Sequence, residues 1–115
     1  QYYARRHAKA VYPKQQYVDA RKRAIGGCAT CKRAVVPGSE SAFEFNHIDE
    51  ATKEKGDLFC PQGGVSGLAT NGAKAAALDK VRALLDAEMA KCELLCANCH
   101  HRHTWKYGAE EEEED

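Results

Sequence analysis

Cys96-Ala97-Asn98-Cys99-His100-His101-Arg102-His103 places a CxxC pair and three histidines within eight positions. A second pair, Cys28-Ala29-Thr30-Cys31, lies far upstream. Cys28, Cys31, Cys96 and Cys99 have the ligand count and spacing of a closed tetrahedral zinc site, because a CxxC turn lets two thiolates face one ion. Two such pairs, distant in sequence, close a long loop around one metal and fix the fold. Cys60 and Cys92 are spare on this reading, Cys92 packing rather than binding. A redox CxxC would need a βαβ pattern, and the sequence has none.

Working outward, Phe43-Glu44-Phe45-Asn46-His47-Ile48-Asp49 alternates, with Phe43, Phe45 and His47 on one face and Glu44, Asn46 and Ile48 on the other. The alternation predicts a strand over 42–48. Ala34-Val35-Val36 reads as a short partner strand, paired with it in a hairpin across the turn-like stretch Pro37-Gly38-Ser39-Glu40-Ser41. Zinc on the four cysteines would clamp the strand carrying His47 against the His100 segment. A short helix is expected over 15–25, with Tyr17, Val18, Arg21 and Ile25 on one side, ended by Gly26-Gly27. The clearest helix spans 74–91, with Leu78, Val81, Leu85 and Met89 on one face, Leu84 beside them and Asn71 as N-cap. Residues 49–73 read as a long, polar, glycine-rich loop. Cys92-Glu93-Leu94-Leu95 is an extended run into Cys96. The last helix begins near Asn98 or Cys99 and carries His100, His103 and Trp105 toward Gly108, with His101 facing solvent.

A chain of 115 residues makes one small domain, of a size that often needs a staple such as a structural metal. Lys+Arg and Asp+Glu balance at 17 each, but the last six residues, Glu110 to Asp115, are all acidic. Without them 11 acids stand against 17 bases, a charge of +6. Among the first 33 residues are nine Lys/Arg and one acid, Asp19. A basic front of this kind suits a phosphate backbone or is a solvated helix face. The division reads as a loose basic arm over 1–14, a domain over 15–109 and a disordered acidic tail over 110–115. No apolar run is long enough to span a membrane. The N-terminus lacks a signal-peptide core, so an intracellular protein of the cytoplasm or nucleus, with reduced thiols, is expected.

His47 at a strand end, upstream of a histidine cluster, is a candidate general base. His100 follows a zinc ligand directly and is held rigidly. A base on a strand and a metal ligand on a facing helix suit phosphodiester hydrolysis: the metal neutralises phosphate charge and the histidine activates water. Trp105 and Tyr107 are candidates for core or for base stacking.

The succession of CxxC, then Phe45-Asn46-His47-Ile48-Asp49, then Leu94-Leu95-Cys96-Ala97-Asn98-Cys99-His100 resembles the HNH endonucleases over about residues 26 to 106. The resemblance implies an α+β fold: a small ββα-metal (HNH) core stapled by a four-cysteine zinc site, with flanking helices. It implies His47 as the base that activates water, Asn46 and His100 as ligands of a catalytic divalent ion (Mg2+ or Mn2+), and structural Zn2+ on the cysteines. His103, one helical turn beyond His100, is a further candidate ligand or phosphate contact. Asn46 is a neutral donor where the family usually has Asp or His, and binds a hard cation more weakly. The asparagine of the family name falls near Lys91, which cannot bridge the same loop by amide hydrogen bonds; Asn98 is a candidate to take up part of that role.

The function expected is cleavage of DNA, with RNA as a second candidate substrate, by a protein whose oligomeric state the sequence leaves open. A non-catalytic zinc module that binds nucleic acid or protein is the alternative. It keeps the four cysteines but has no need of His47 directly before Ile48-Asp49.

Overall fold

The computed structural model describes residues 2–60 and 63–102; His103, Trp105, Tyr107 and the acidic tail lie outside the described residues. The fold is mixed α+β. Helix α1 (Tyr2–Ile25) leads to strand β1 (Phe43–His47), helices α2 (Gly64–Thr70) and α3 (Leu78–Ala90), and strand β2 (Cys92–Cys96). A further helical segment occupies 97–102. Among the described helices, none is long and apolar enough to cross a membrane.

β1 and β2 form a two-stranded antiparallel sheet in which Phe43 pairs with Cys96 and His47 with Cys92. This corrects the expected hairpin. Ala34 makes only an isolated bridge to Gly27, and the partner of β1 is the extended run before the second CxxC. The sequence between the strands holds the main helical core, so the pairing spans a long connection rather than a tight turn. Residue alternation places Phe43 and His47 on the buried side of β1, while Glu44 is exposed. In β2, Leu94, Leu95 and Cys96 are buried in succession. Neighbouring strand residues point to opposite faces, so both faces are covered there.

One core cluster joins Val18 of α1, Val65 and Leu68 of α2, and Val81, Leu85 and Met89 of α3. The α3 stripe is the one expected from its spacing, although Leu84 is 40% exposed. Each fully buried aliphatic side chain of this kind contributes about 1.5–3 kcal/mol. A second cluster surrounds the cysteines with Phe43, Leu94 and Leu95, and Phe45 packs against both. Phe45 therefore joins the helical core to the cysteine core.

Three expected boundaries change. The arm over 1–14 and the helix over 15–25 are one helix that runs through Pro13, which removes one internal hydrogen bond. Its end is as expected: Gly26 adopts φ +96°. The supposed loop over 49–73 contains α2, whose Leu68 is fully buried. Helix-weakening Gly64 and Gly67 hid it in the sequence. The helix expected from 74 begins at Leu78 after a 3-10 turn. Asn71 does not cap it: Asn71 Oδ1 accepts from the Ala73 N–H, and its amide donates to the Leu58 carbonyl.

Among the described side chains of the basic front, Lys14, Arg21 and Arg23 are engaged in the fold. Lys14 is fully buried and donates to the carbonyls of Leu68 and Asn71, where α2 ends. Those carbonyls lack helical partners, so the ammonium caps them. Arg21 pairs with Asp86 at 3.0 Å, and Arg23 with Glu40.

Candidate metal centre and histidine site

The sheet carries a different constellation at each end. At the Cys96 end, the Sγ atoms of Cys28, Cys31, Cys96 and Cys99 all lie within 4.8 Å of one another. Cys31 Sγ and Cys96 Sγ are 3.6 Å apart. Tetrahedral Zn–S bonds of about 2.3 Å separate sulfurs by about 3.8 Å. The N–H groups of Cys31 and Cys99 donate to Cys28 Sγ and Cys96 Sγ, at 3.5 and 3.4 Å, so each CxxC turns its first sulfur inward. The first pair is tied to the sheet by Ala29 N–H donating to the Leu94 carbonyl at 2.8 Å. Gly27 permits the tight return, since a Cβ there would lie 2.9 Å from the Arg33 carbonyl oxygen.

The electrostatics of these thiols favour a cation. Burial works against charge on Cys28, but N–H groups of Cys31, Cys96 and Thr30 outweigh it and bring the thiol to about 6. Cys99, hydrogen-bonded to Cys96, is pushed up to about 12. Sulfurs this close cannot all ionise against one another unless a metal neutralises them. The cluster can hold a metal ion such as zinc. Cys60 and Cys92 stand outside it. Cys92 Sγ donates to the Glu88 carbonyl, and burial pushes its thiol to about 12.

At the other end His47 is 8% exposed, and its Nε2 lies 2.8 Å from Oε2 of Glu88, itself 1% exposed. Glu88 Oε1 accepts from Lys91 Nζ at 2.6 Å, and Lys91 also donates to the Thr52 carbonyl at 2.8 Å. Burial opposes the Glu88 charge, yet hydrogen bonds from Lys91, His47 and the Glu54 N–H outweigh it and hold the carboxyl below its usual range. Glu88 therefore accepts, and His47 Nε2 carries the proton. Among the described residues Nδ1 has no partner, and no buried side-chain nitrogen or oxygen lacks one. Nδ1 must then reach solvent.

His47 lines a groove of about 1210 Å³, together with every other residue from Phe43 to Asp49, residues of α1 and α2, and His100. Gly64 comes close to the His47 ring: a Cβ there would meet His47 Cε1 at 3.0 Å. Its φ of +65° also favours glycine.

His47, Asn46 and His100 all line this groove. The side chain hydrogen-bonded to His100 Nδ1 is Glu44, two residues before Asn46 on β1. His101 is exposed, as expected. Lys91 has no side-chain amide to bridge with, but its ammonium donates to the Thr52 carbonyl in the segment after β1, and its backbone carbonyl accepts from the Ile48 N–H. Asn98 is exposed and helical. Sequence reasoning missed Glu88 and Glu44. Glu88 falls on the buried side of α3 between Leu85 and Met89, and a lone carboxylate on an apolar helix face was the available signal.

Comparison with protein-family models, with curated proteins and with solved structures finds no match to this chain.

Proposed function

We propose that the chain is a metal-dependent endonuclease of the HNH type, hydrolysing phosphodiester bonds in DNA, with RNA as a second candidate substrate. The observation that carries this reading is the buried His47–Glu88 pair opening onto the groove that also holds His100. The order β1, β2, helical segment supports a ββα-metal core, and the four cysteines are read as a structural zinc site that fixes the start of the helix bearing His100.

In this mechanism Glu88 accepts the Nε2 proton of His47 and thereby sets the tautomer. Nδ1 is left as the acceptor for a proton from water, whose oxygen forms the new bond to phosphorus as the ester P–O bond breaks and the leaving oxygen takes a proton from solvent. Glu88, already hydrogen-bonded to Lys91, keeps the ring oriented and stabilises the imidazolium that forms. It is a positioning residue. A divalent ion held at His100 with an oxygen donor of β1, Asn46 in the family-like arrangement, supplies neutralisation of the phosphate and of the leaving oxygen. Mg2+ or Mn2+ suits an oxygen-plus-imidazole set.

The test is cleavage of supercoiled plasmid with Mg2+ or Mn2+ by the wild type and by His47→Ala, with zinc content measured in both. Nicking by the wild type alone, at equal zinc content, is the expected result. Absence of cleavage in both, with zinc and DNA binding retained, would overturn the nuclease in favour of a non-catalytic zinc module.

A further inference from the structure

We infer that Glu44 is the carboxylate ligand of a divalent cation whose second protein ligand is His100. Glu44 stands on the exposed side of β1, and His100 on the helical segment that follows β2. They are 56 residues apart in sequence, and Glu44 Oε2 meets His100 Nδ1 on the wall of the groove that also contains His47.

The pair differs from its neighbours in chemistry. Asp19 and Glu50, also on the groove, are each met by a lysine, Lys22 at 3.9 Å and Lys53 at 3.7 Å. An ammonium has no lone pair and cannot share a cation with its carboxylate. Glu44 also feels the Lys22 charge, but the group hydrogen-bonded to it is an imidazole, which when neutral is itself a ligand. One carboxylate and one imidazole, with water in the remaining positions, form a donor set for Mn2+ or Mg2+. As a plain ion pair Glu44–His100 contributes little, since its side chains are 50% and 35% exposed.

The lining of the groove points the same way. Asp19, Glu44, Asp49 and Glu50 outnumber Lys22 and Lys53. Such a wall repels a phosphodiester until a cation sits against it. A carboxylate at Glu44 also supplies the negative charge that the neutral Asn46 lacks, one pleat further along the same face of β1.

The inference deepens the nuclease reading by naming the ligand of its ion, but ion binding is read without DNA, so the two can fail separately. The zinc-loaded protein is titrated with Mn2+ and the free ion counted by electron paramagnetic resonance. Glu44→Gln and His100→Ala are each expected to weaken Mn2+ binding about tenfold or more. Glu44→Asp, which keeps the charge, should retain most of it, and Asn46→Ala should have the smaller effect. Zinc content is measured in every variant to show that the cysteine cluster is intact. Unchanged affinity in Glu44→Gln would overturn the assignment, as would a larger loss in Asn46→Ala than in Glu44→Gln, or no Mn2+ binding by the wild type. Mn2+ bound through Glu44 without plasmid cleavage would leave the site standing and remove the nuclease.

Discussion

The two ends of one short sheet solve opposite problems. At the Cys96 end four sulfurs gather within 4.8 Å of one another, more negative charge than the few backbone N–H donors there can neutralise, and a metal ion is the natural partner. At the Cys92 end His47, Glu88 and Lys91 relieve one another without a metal, each ionisable group meeting a complementary one. The first constellation is built to be closed around an ion. The second leaves one ring nitrogen of His47 without a hydrogen-bond partner among the described residues, on a residue that lines a groove. On the proposed reading the difference separates what holds the chain together from what would act on a substrate, although the two are only four residue pairs apart along β1 and β2.

Metal removal should break the comparison most severely. Structural zinc supplies about 10–16 kcal/mol of apparent binding energy in small zinc domains, more than most domains of this size hold in total stability. Stripping the metal with a strong chelator, or replacing Cys96 with Ser, is expected to abolish cooperative unfolding followed by circular dichroism. His47→Ala should keep both zinc and cooperativity. Equal damage from the two changes would mean that the ends are not separable.

Glu88→Ala comes next. It leaves a buried imidazole and the Lys91 ammonium without their shared acceptor, and breaking a buried pair from one side costs about 3–5 kcal/mol. Urea denaturation of the zinc-loaded protein should show that loss at unchanged zinc content. Gly64→Ala should cost less, about 1–3 kcal/mol, because it strains a left-handed residue and presses on the His47 ring. The same variant should lower plasmid cleavage by more than its stability loss accounts for.

Legibility in the sequence divides along the same line. The cysteine end was readable because ligand type and spacing are local: two CxxC turns declare their own geometry. The partner of β1 was not, since Ala34-Val35-Val36 and Cys92-Glu93-Leu94-Leu95 are both short extended runs, and only the packed tertiary structure chooses between them. α2 was hidden by its glycines, one of which is needed where the chain passes the His47 ring. Glu88 was hidden because its partner lies 41 residues away, and a helical pattern says which face is buried but not which polar group waits there. Lys91 was read as a loss relative to asparagine, although an ammonium can tie the same loop by donating to a carbonyl. Within the basic front, charge counts do not reveal that Lys14 is buried against α2 or that Arg21 and Arg23 have acidic partners.

Acid should sharpen the contrast by a smaller amount. Glu88 has its folded-state value depressed below the ordinary 4.5. The unfolded chain therefore binds the proton more readily, and the stability that Glu88 confers is present above that ordinary value and lost as pH falls through the folded one. Each proton taken up on unfolding changes stability by about 1.4 kcal/mol per pH unit. Thiolates also take up protons in acid, so the wild type alone would mix the two ends. Glu88→Gln separates them, since it keeps the cysteines and removes the carboxylate. The stability difference between wild type and Glu88→Gln should be constant near neutrality and shrink below about pH 4.5. A difference that stays constant through acid would assign the acid sensitivity to the cysteine end alone.

Arg21→Ala should have the smallest effect. Its contact with Asp86 joins α1 to α3, the helix that carries Glu88, but the two side chains are 38% and 42% exposed. Pairs of that exposure contribute about 0.2–1 kcal/mol and weaken with salt. Asp86 also accepts from the Tyr17 hydroxyl at 2.6 Å, so its carboxylate keeps a donor when Arg21 is removed. Urea midpoints at low and high salt should therefore differ from wild type by little at low salt and by less at high salt. A larger, salt-independent loss would show that α1 holds the histidine end in place through this contact rather than through the buried Val18 and the α2 cap on Lys14.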